Sequence, residues 1–424
     1  MTSTELKKAL KEGALSAFAH LYADVEKQTA RMIGAVASFE SLYGEGREVS
    51  LLSVPGRSET IGNHTDHNRG CVIAAAIDRD VIAVVSPNED GVIRMLSEGY
   101  EPETVDLSLL DDPDNFENYS SAALVAGVAA GFLKEGYSIG GFDAYLTTEV
   151  LKGSGISSSA AFEVMIGNVM NHLYNDGAVS SVAIAQISQY AENVFFGKPC
   201  GLMDQTACAV GGFVFIDFAD PQKPVIEPIP AALSERGYLL CIVNTGGNHA
   251  DLNEDYASVP KEMKAVAALL GREVLRGLTE AELLSKAAEI RTALGDRALL
   301  RALHFLRENE RVLNAKAALL SNDISAFFKQ ILASGHSSFE YLQNVYTVKA
   351  VDEQGLSLAL ALTDGFMQTH EGAFRVHGGG FAGTILAFVK AEDAASYVHT
   401  MDAVLGEGSA MLLRVRPNGC VKLF

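Results

Sequence analysis

The stretch that most constrains this chain is LKGSGISSSAAFEVMIG, residues 151–167. An apolar run at 142–147 leads into it as a short strand. Two glycines, Gly153 and Gly155, and three consecutive serines, Ser157, Ser158 and Ser159, come next. From 160 to 174, Phe162, Met165, Ile166, Val169 and Leu173 recur at helical spacing. The pattern is strand, loop, helix N-terminus. Such a terminus presents unpaired backbone N–H groups and the positive end of the helix dipole. Glycines let a phosphate approach the backbone without a Cβ in the way. Serine hydroxyls donate to phosphate oxygens and can also ligate Mg²⁺. A Ser-capped helix behind a flexible loop would read the same way. The spacing is neither GxxxxGK[ST] nor GxGxxG.

The whole chain agrees with a globular, phosphate-handling protein. Its 424 residues suit two domains or one large one, and 48% hydrophobic content supplies a sizeable core. A charged fraction of 20% argues against disorder. A net charge of −20 argues against a nucleic-acid partner, so phosphates must be held by local donors and a metal ion. Cys71, Cys200, Cys208, Cys241 and Cys420 are scattered without a CxxC pair, as expected of buried thiols in a reducing cytoplasm. The first residues, MTSTELKKALKEG, lack the apolar core of a signal peptide, and no apolar run is long enough to span a membrane.

In chain order, helices are expected at 5–21 and 25–37, and a strand at 49–54 that ends in a Pro55-Gly56 turn. A dense polar loop follows, with Arg57, Glu59, Asn63, His64, Thr65, Asp66, His67, Asn68 and Arg69, before strands at 72–77 and 81–86. Such a loop between buried strands is either self-satisfied or built to hold something polar. A helix at 182–195 carries Glu192. Asp204 lies in apolar company before a strand at 212–218, either capping a turn at 205–210 or facing a ligand. After a strand at 238–244, Tyr256 heads a helix at 255–269, where ordinary packing is the plain reading. Amphipathic helices fill 279–362. A glycine loop at 377–383, HGGGFAG, then precedes a strand at 384–389. Strands at 411–416 and 420–424 read as a hairpin across Asn418-Gly419. The class is α+β.

Taken together these motifs carry a resemblance. PGRSETIGNHTDHNRG at 55–70 resembles the galactokinase signature PGRVNLIGEHTDYNGG. Residues 151–161 resemble the GLSSSAS nucleotide loop of the GHMP kinases, GLMDQ at 201–205 resembles the galactokinase GIMDQ, and 377–383 resembles the third GHMP motif, TGGGFGG. AENVFFG at 191–197, Asn118-Tyr119 and RALHFLRENERVL at 301–313 extend the match, which covers most of residues 49–389. The resemblance implies two domains. Residues 1–217 would form a nucleotide- and sugar-binding domain with the βαβ fold of ribosomal protein S5 domain 2. Residues 218–424 would form a ferredoxin-like domain, with substrates in the cleft between. It implies transfer of the γ-phosphoryl group of Mg²⁺–ATP to the anomeric hydroxyl of galactose by a cytoplasmic monomer or weak homo-oligomer. By the same resemblance Asp204 is the catalytic base and Arg57 sits beside the transferred phosphoryl. Asn63, His64, Asp66, Gly201 and Tyr256 contact the sugar. Gly153, Ser154, Gly155, Ser157, Ser158, Ser159 and Gly379 cradle the phosphates, and Ser159 and Glu192 hold magnesium.

The departures cluster in the sugar signature. Asn63 stands for the family's Glu, His67 for Tyr, Arg69 for Gly and Glu59 for Asn; in the third motif His377 stands for Thr and Ala382 for Gly. An amide at 63 can still hydrogen-bond a C6 hydroxyl, and unlike a carboxylate it would not repel a C6 carboxylate. Plant galacturonokinases look similar at 63 and 67, so galacturonate is the alternative acceptor. A non-catalytic sugar sensor is the other, although Arg57, Asp204 and the serine run are all present.

Overall fold

Two β-sheets organise the computed structural model of the chain, which describes residues 1–150, 155–247 and 252–424. The antiparallel pair β1 (Ser50–Ile61) and β2 (Cys71–Pro87) is the centre of the first sheet. The second half of β2 pairs with β5 (Phe142–Thr148). In turn β5 pairs in parallel with β3 (Val92–Ser97), whose other neighbour is β4 (Glu103–Asp106). The first half of β2 pairs with β6 (Phe213–Asp217), and β6 with β7 (Val225–Ile229). The edge strand β12 (Val421–Lys422) lies against β1. The second sheet is antiparallel, in the order β11 (Ala410–Leu413), β8 (Tyr238–Asn244), β10 (Thr384–Lys390), β9 (Gly372–His377). This is the expected α+β class. The expected division at 217/218 falls between β6 and its partner β7, and β12 returns to the first sheet.

Packing ties the two sheets together. Phe327, on the helix Ile324–Ser337, sets its ring against Phe213 of the first sheet and Phe388 of the second, with centroids 6.2 and 5.5 Å away. All three are fully buried. Each aromatic ring buries a large apolar surface, so this edge-to-face column is a main joint of the core.

Several elements differ from what the sequence pattern alone predicts. The helix expected at 5–21 stops at Lys11, because Gly13 takes a left-handed φ of +86°, and Ala14–Leu21 continues as 3₁₀ turns. Pro55-Gly56 does not end β1. It sits at a bulge where the register with β2 shifts, a place that tolerates a residue without N–H and one without a side chain. A Cβ on Gly56 would come 2.8 Å from Ile156 O, so the bulge also admits the serine loop. The two strands expected at 72–77 and 81–86 are one. The charged interruption holds because Asp80 is satisfied from all sides: Arg31 Nη1 donates to it at 2.6 Å, Tyr22 at 3.0 Å and Arg416 Nη1 at 3.4 Å, with Ser53 as a further donor. Burial pushes this carboxyl up, but the Arg31 and Arg416 charges outweigh it and hold it below its ordinary range.

The C-terminal hairpin does not form. β11 joins β8 and β12 joins β1, in different sheets. Between them Asn418-Gly419 packs against the end of the helix Met203–Val210, where a Cβ on Gly419 would lie 2.0 Å from Ala209 O. Close approach, not a type I′ turn, is what that glycine serves. Arg416 is fully buried and ties this crossing to Ser53 and Asp80. Arg416→Met should lower the unfolding free energy by ~3 kcal/mol, because it leaves Asp80 buried with one cation fewer. Equilibrium urea unfolding measures this; an unchanged midpoint would show that the network does not hold the C-terminal crossing in place.

Candidate active site

Three distant segments meet at one ion pair. Arg57 follows the bulge in β1, Asp204 lies in the first turn of the helix Met203–Val210, and Ser157 precedes the helix Ser158–Tyr174. The Arg57 guanidinium grips Asp204 as a fork, Nε to Oδ1 and Nη2 to Oδ2, each at 2.7 Å. Its third nitrogen, Nη1, donates to Gly155 O at 2.6 Å, and Arg57 N donates to Ile156 O at 3.1 Å. Ser157 Oγ donates to Asp204 Oδ2. Leu202, not Asp204, is the N-cap residue, so the capping role weighed for Asp204 is not the one it has. The Asp204 side chain keeps 31% exposure, against 11% for Arg57, so the carboxylate is the more accessible partner of the pair. Burial raises the Asp204 pKa, but the Arg57 charge, the fork and Ser157 outweigh it and the net displacement is downward. Asp204 is therefore ionised at neutral pH.

The polar loop after β1 meets the glycine loop after β9. Gly378 O accepts from Asn63 Nδ2 at 2.6 Å, Gly379 O from His64 Nε2 at 2.9 Å, and Gly380 O from the Tyr256 hydroxyl at 2.9 Å. At the base of that loop His377 links Ser58 of β1 (3.2 Å) to Thr384 of β10 (2.9 Å). Gly155 completes the junction: a Cβ there would come 2.9 Å from Thr384 Oγ1. Non-glycine residues with left-handed backbone fall in all three loops, His64 and Arg69 in one, Ser157 and Phe381 in the others. Such strain persists where surrounding structure over-determines it, commonly around functional sites.

Not every expected site residue takes its expected place. Asp66 is exposed, and a Cβ on Gly201 would lie 3.1 Å from its Oδ2, so these two positions adjoin each other. Asn63 differs. It is 1% exposed, its amide donates to Glu59 and Gly378, and its Oδ1 accepts from Asn344 at 2.8 Å and Ser338 at 3.3 Å. Its hydrogen-bonding capacity is met by protein, which ties the Asn63 side chain to the glycine loop and to the Ser338–Asn344 segment. The Gly379 carbonyl is taken by His64 and Asn344. Gly153 and Ser154 lie outside the described residues.

Ser158 and Ser159 line one wall of an open cleft with Phe162; Met95, Tyr119 and Phe196 are on its other sides. Glu192 is buried on a π-turn, Ala191–Phe196, inserted after the helix Ser181–Tyr190, a type of irregularity common at functional sites. It accepts from Gln205 Nε2 at 2.9 Å and Lys198 Nζ at 3.2 Å, and no hydrogen bond joins it to Ser159. Among the described residues no three His, Cys, Asp or Glu side chains converge as a metal cage. Serine and carboxylate oxygens are nonetheless the hard donors Mg²⁺ prefers, and that ion commonly takes most of its remaining ligands from phosphates and water. Sequence reasoning missed Glu163, fully buried one helical turn beyond Ser159 and hydrogen-bonded through Gln205. Burial and the neighbouring Glu192 push its carboxyl well above its ordinary range. The i, i+4 spacing from Ser159 was the available signal.

Residues 120–212 match the family described as GHMP kinases N terminal domain, and residues 37–87 match the galactokinase galactose-binding signature. The chain is similar to a galactokinase of Streptomyces coelicolor, with 35% identity covering 83% of this chain and 87% of that one. A galactokinase of Actinobacillus pleuropneumoniae is 32% identical, covering 84% and 89%. Among solved structures, Lactococcus lactis galactokinase complexed with galactose superposes with a TM-score of 0.76 at 23% identity, covering 91% of this chain and 98% of that one. Methanococcus jannaschii mevalonate kinase gives 0.61 at 14% identity, covering 87% and 98%. These two likenesses concern the fold.

The junction also has a pH signature. Burial first, then the Arg57 and Arg375 charges, lowers the His377 pKa to about 3; burial first lowers that of His67 to about 3 and that of His304 to about 4. Unfolded histidines titrate near ~6.5. Between these values the unfolded chain binds more protons than the folded one, so stability is lost as pH falls below the unfolded pKa. In His377→Gln, the proton uptake on unfolding at pH 5, read from the slope of unfolding free energy against pH, should fall by about one. A slope equal to wild type would mean that His377 is charged in the folded protein.

Proposed function

The chain belongs to the galactokinase family of the GHMP kinases, and on that premise we propose that it transfers the γ-phosphoryl group of Mg²⁺–ATP to the anomeric hydroxyl of galactose. The carrying observation is the Arg57–Asp204 fork where the serine loop, the polar loop and the glycine loop converge. Asp204 is ionised and partly exposed, as a proton acceptor for the C1 hydroxyl must be. Phosphoryl transfer through a loose transition state asks little basicity of that acceptor, so a carboxylate with a lowered pKa suffices when well placed. Arg57 stands between Asp204 and the serine loop and offsets charge on the phosphoryl group in transit.

Around that pair the other roles follow. His64 and Tyr256, each oriented by a glycine-loop carbonyl, and Asp66 with Gly201 hold the sugar. Gly155, Ser157, Ser158 and Ser159 receive the phosphates at the helix N-terminus. The cleft walled by Phe162, Met95, Tyr119 and Phe196 takes the base. Ser159 and Glu192 would supply oxygens to Mg²⁺, which would neutralise phosphate charge. Lys198, already paired with Glu192, balances that carboxylate when the ion is absent.

Asp204→Asn should reduce kcat with galactose by at least ~100-fold while the protein remains folded, the loss typical of a positioned acid or base. ADP release measured with ATP, Mg²⁺ and a panel of galactose, galacturonate, N-acetylgalactosamine and arabinose tests both parts. Galactose should be the preferred acceptor. A preference for galacturonate would replace the proposed substrate, sugar binding with no sugar-dependent ADP release would indicate a sensor, and an Asp204→Asn rate near wild type would remove this carboxylate from the chemistry.

A further inference from the structure

The RALHFLRENERVL segment at 301–313 has no part in the chemistry above, yet it supplies buried polar residues to the long helix Asp296–Leu320. Arg301, His304 and Glu308, spaced by three and four residues, are fully buried. Arg301 turns to Leu342 O, Ser258 and Glu262, whereas His304, Glu308 and Asn309 touch the sugar-signature loop. At the start of that loop, Gly62 N donates to Glu308 Oε1 at 3.2 Å, and His304 Nε2 donates to Asn63 O at 2.9 Å. At its end, Cys71 N donates to Asn309 Oδ1 at 2.8 Å.

The neck of the loop is closed by its own packing as well. Thr65 Oγ1 lies 2.9 Å from Gly62 O and 2.7 Å from Cys71 O. A Cβ on Gly62 would come 2.6 Å from Cys71 O, and one on Gly70 would come 2.7 Å from Asn309 Oδ1. The helix residues are themselves anchored. His304 Nδ1 accepts from Ser337 at 2.9 Å, Ser334 donates to Glu308 at 2.5 Å, and Arg311 Nε donates to Glu308 at 2.7 Å. Ser334 and Ser337 lie on the helix Ile324–Ser337, which also carries the Phe327 joint between the sheets.

We infer that Glu308, His304 and Asn309 are positioning residues that clamp both ends of the 62–71 loop and so set the geometry with which His64 and Asp66 meet the sugar. The inference rests on the reading of that loop as sugar-binding. It assigns these residues no contact with substrate. The clamp is built from three backbone groups, Gly62 N, Asn63 O and Cys71 N, so it fixes the path of the chain without engaging the His64 or Asp66 side chain. A buried charge at Glu308 is costly to disturb, and its removal would risk the whole fold. Asn309 is half-buried and makes one contact with the loop, so it is the position to test.

Asn309→Leu removes the acceptor at Cys71 N. Its KM for galactose should rise about 10-fold, the effect of one backbone hydrogen bond lost at a binding loop, while KM for ATP stays within about twofold. Asn309→Asp keeps the acceptor and should bring the sugar KM back to within about threefold of wild type. In parallel, amide hydrogen exchange should quicken across residues 62–71 in Asn309→Leu and stay unchanged in β5. A wild-type sugar KM in Asn309→Leu, or an equal rise in both KM values, would overturn the clamp. If the wild-type protein phosphorylates no sugar, the proposed function fails, and the exchange pattern alone then decides whether the clamp exists.

Discussion

The fork between Arg57 and Asp204 is where the physics of this protein converges. A carboxylate against the core would take up a proton unless a cation stands beside it. Arg57 is that cation, and it is fixed by two further contacts to the serine loop, through its side chain to Gly155 O and through its own N–H to Ile156 O. One guanidinium thereby keeps a base ionised and ties that base to the segment that receives phosphates. Pairs of this kind contribute little net stability once desolvation is counted. Their value lies in geometry: a planar five-donor fork leaves the carboxylate one orientation.

The surrounding structure brings three loops from separate strands to that point. The bulge at Gly56 turns Arg57 toward the serine loop, and the absence of a side chain at 56 lets the loop pass. His377, held by Thr384, bridges the two sheets to Ser58 beside Gly155. Three successive carbonyls of the glycine loop are each held by a side chain from elsewhere, Asn63, His64 and Tyr256. In consequence the expected sugar contacts from the first sheet and from the helix Asn253–Leu269 share one scaffold. Aligned reactants and pre-set donors are how such a site lowers a phosphoryl-transfer barrier, since little covalent chemistry falls to the protein.

How much of this could be read from the sequence depended on whether the controlling interaction was local. The serine-loop helix, β8 and the glycine loop into β10 were legible because periodicity and glycine spacing are local signals. The continuity of β2 through Asp80 was not, because the partners that make a buried aspartate tolerable, Arg31 and Arg416, lie far away in the chain. Asn418-Gly419 has the composition of a hairpin turn, yet tertiary contact with Ala209 determines its use. At the site, the Arg57–Asp204 pairing followed from family resemblance and not from spacing. Asn63 shows the limit of that route: its position in the signature suggested a sugar contact, while Asn344 and Ser338, distant in sequence, occupy its amide.

The most direct measurement is a crystal structure of the protein with galactose and a non-hydrolysable ATP analogue with Mg²⁺. The account predicts the terminal phosphate against the Arg57 guanidinium and the serine-loop N–H groups, with the anomeric oxygen within about 2.6–3.2 Å of Asp204. A triphosphate lodged away from residues 155–159, or a sugar whose C1 oxygen points away from Asp204, would contradict it.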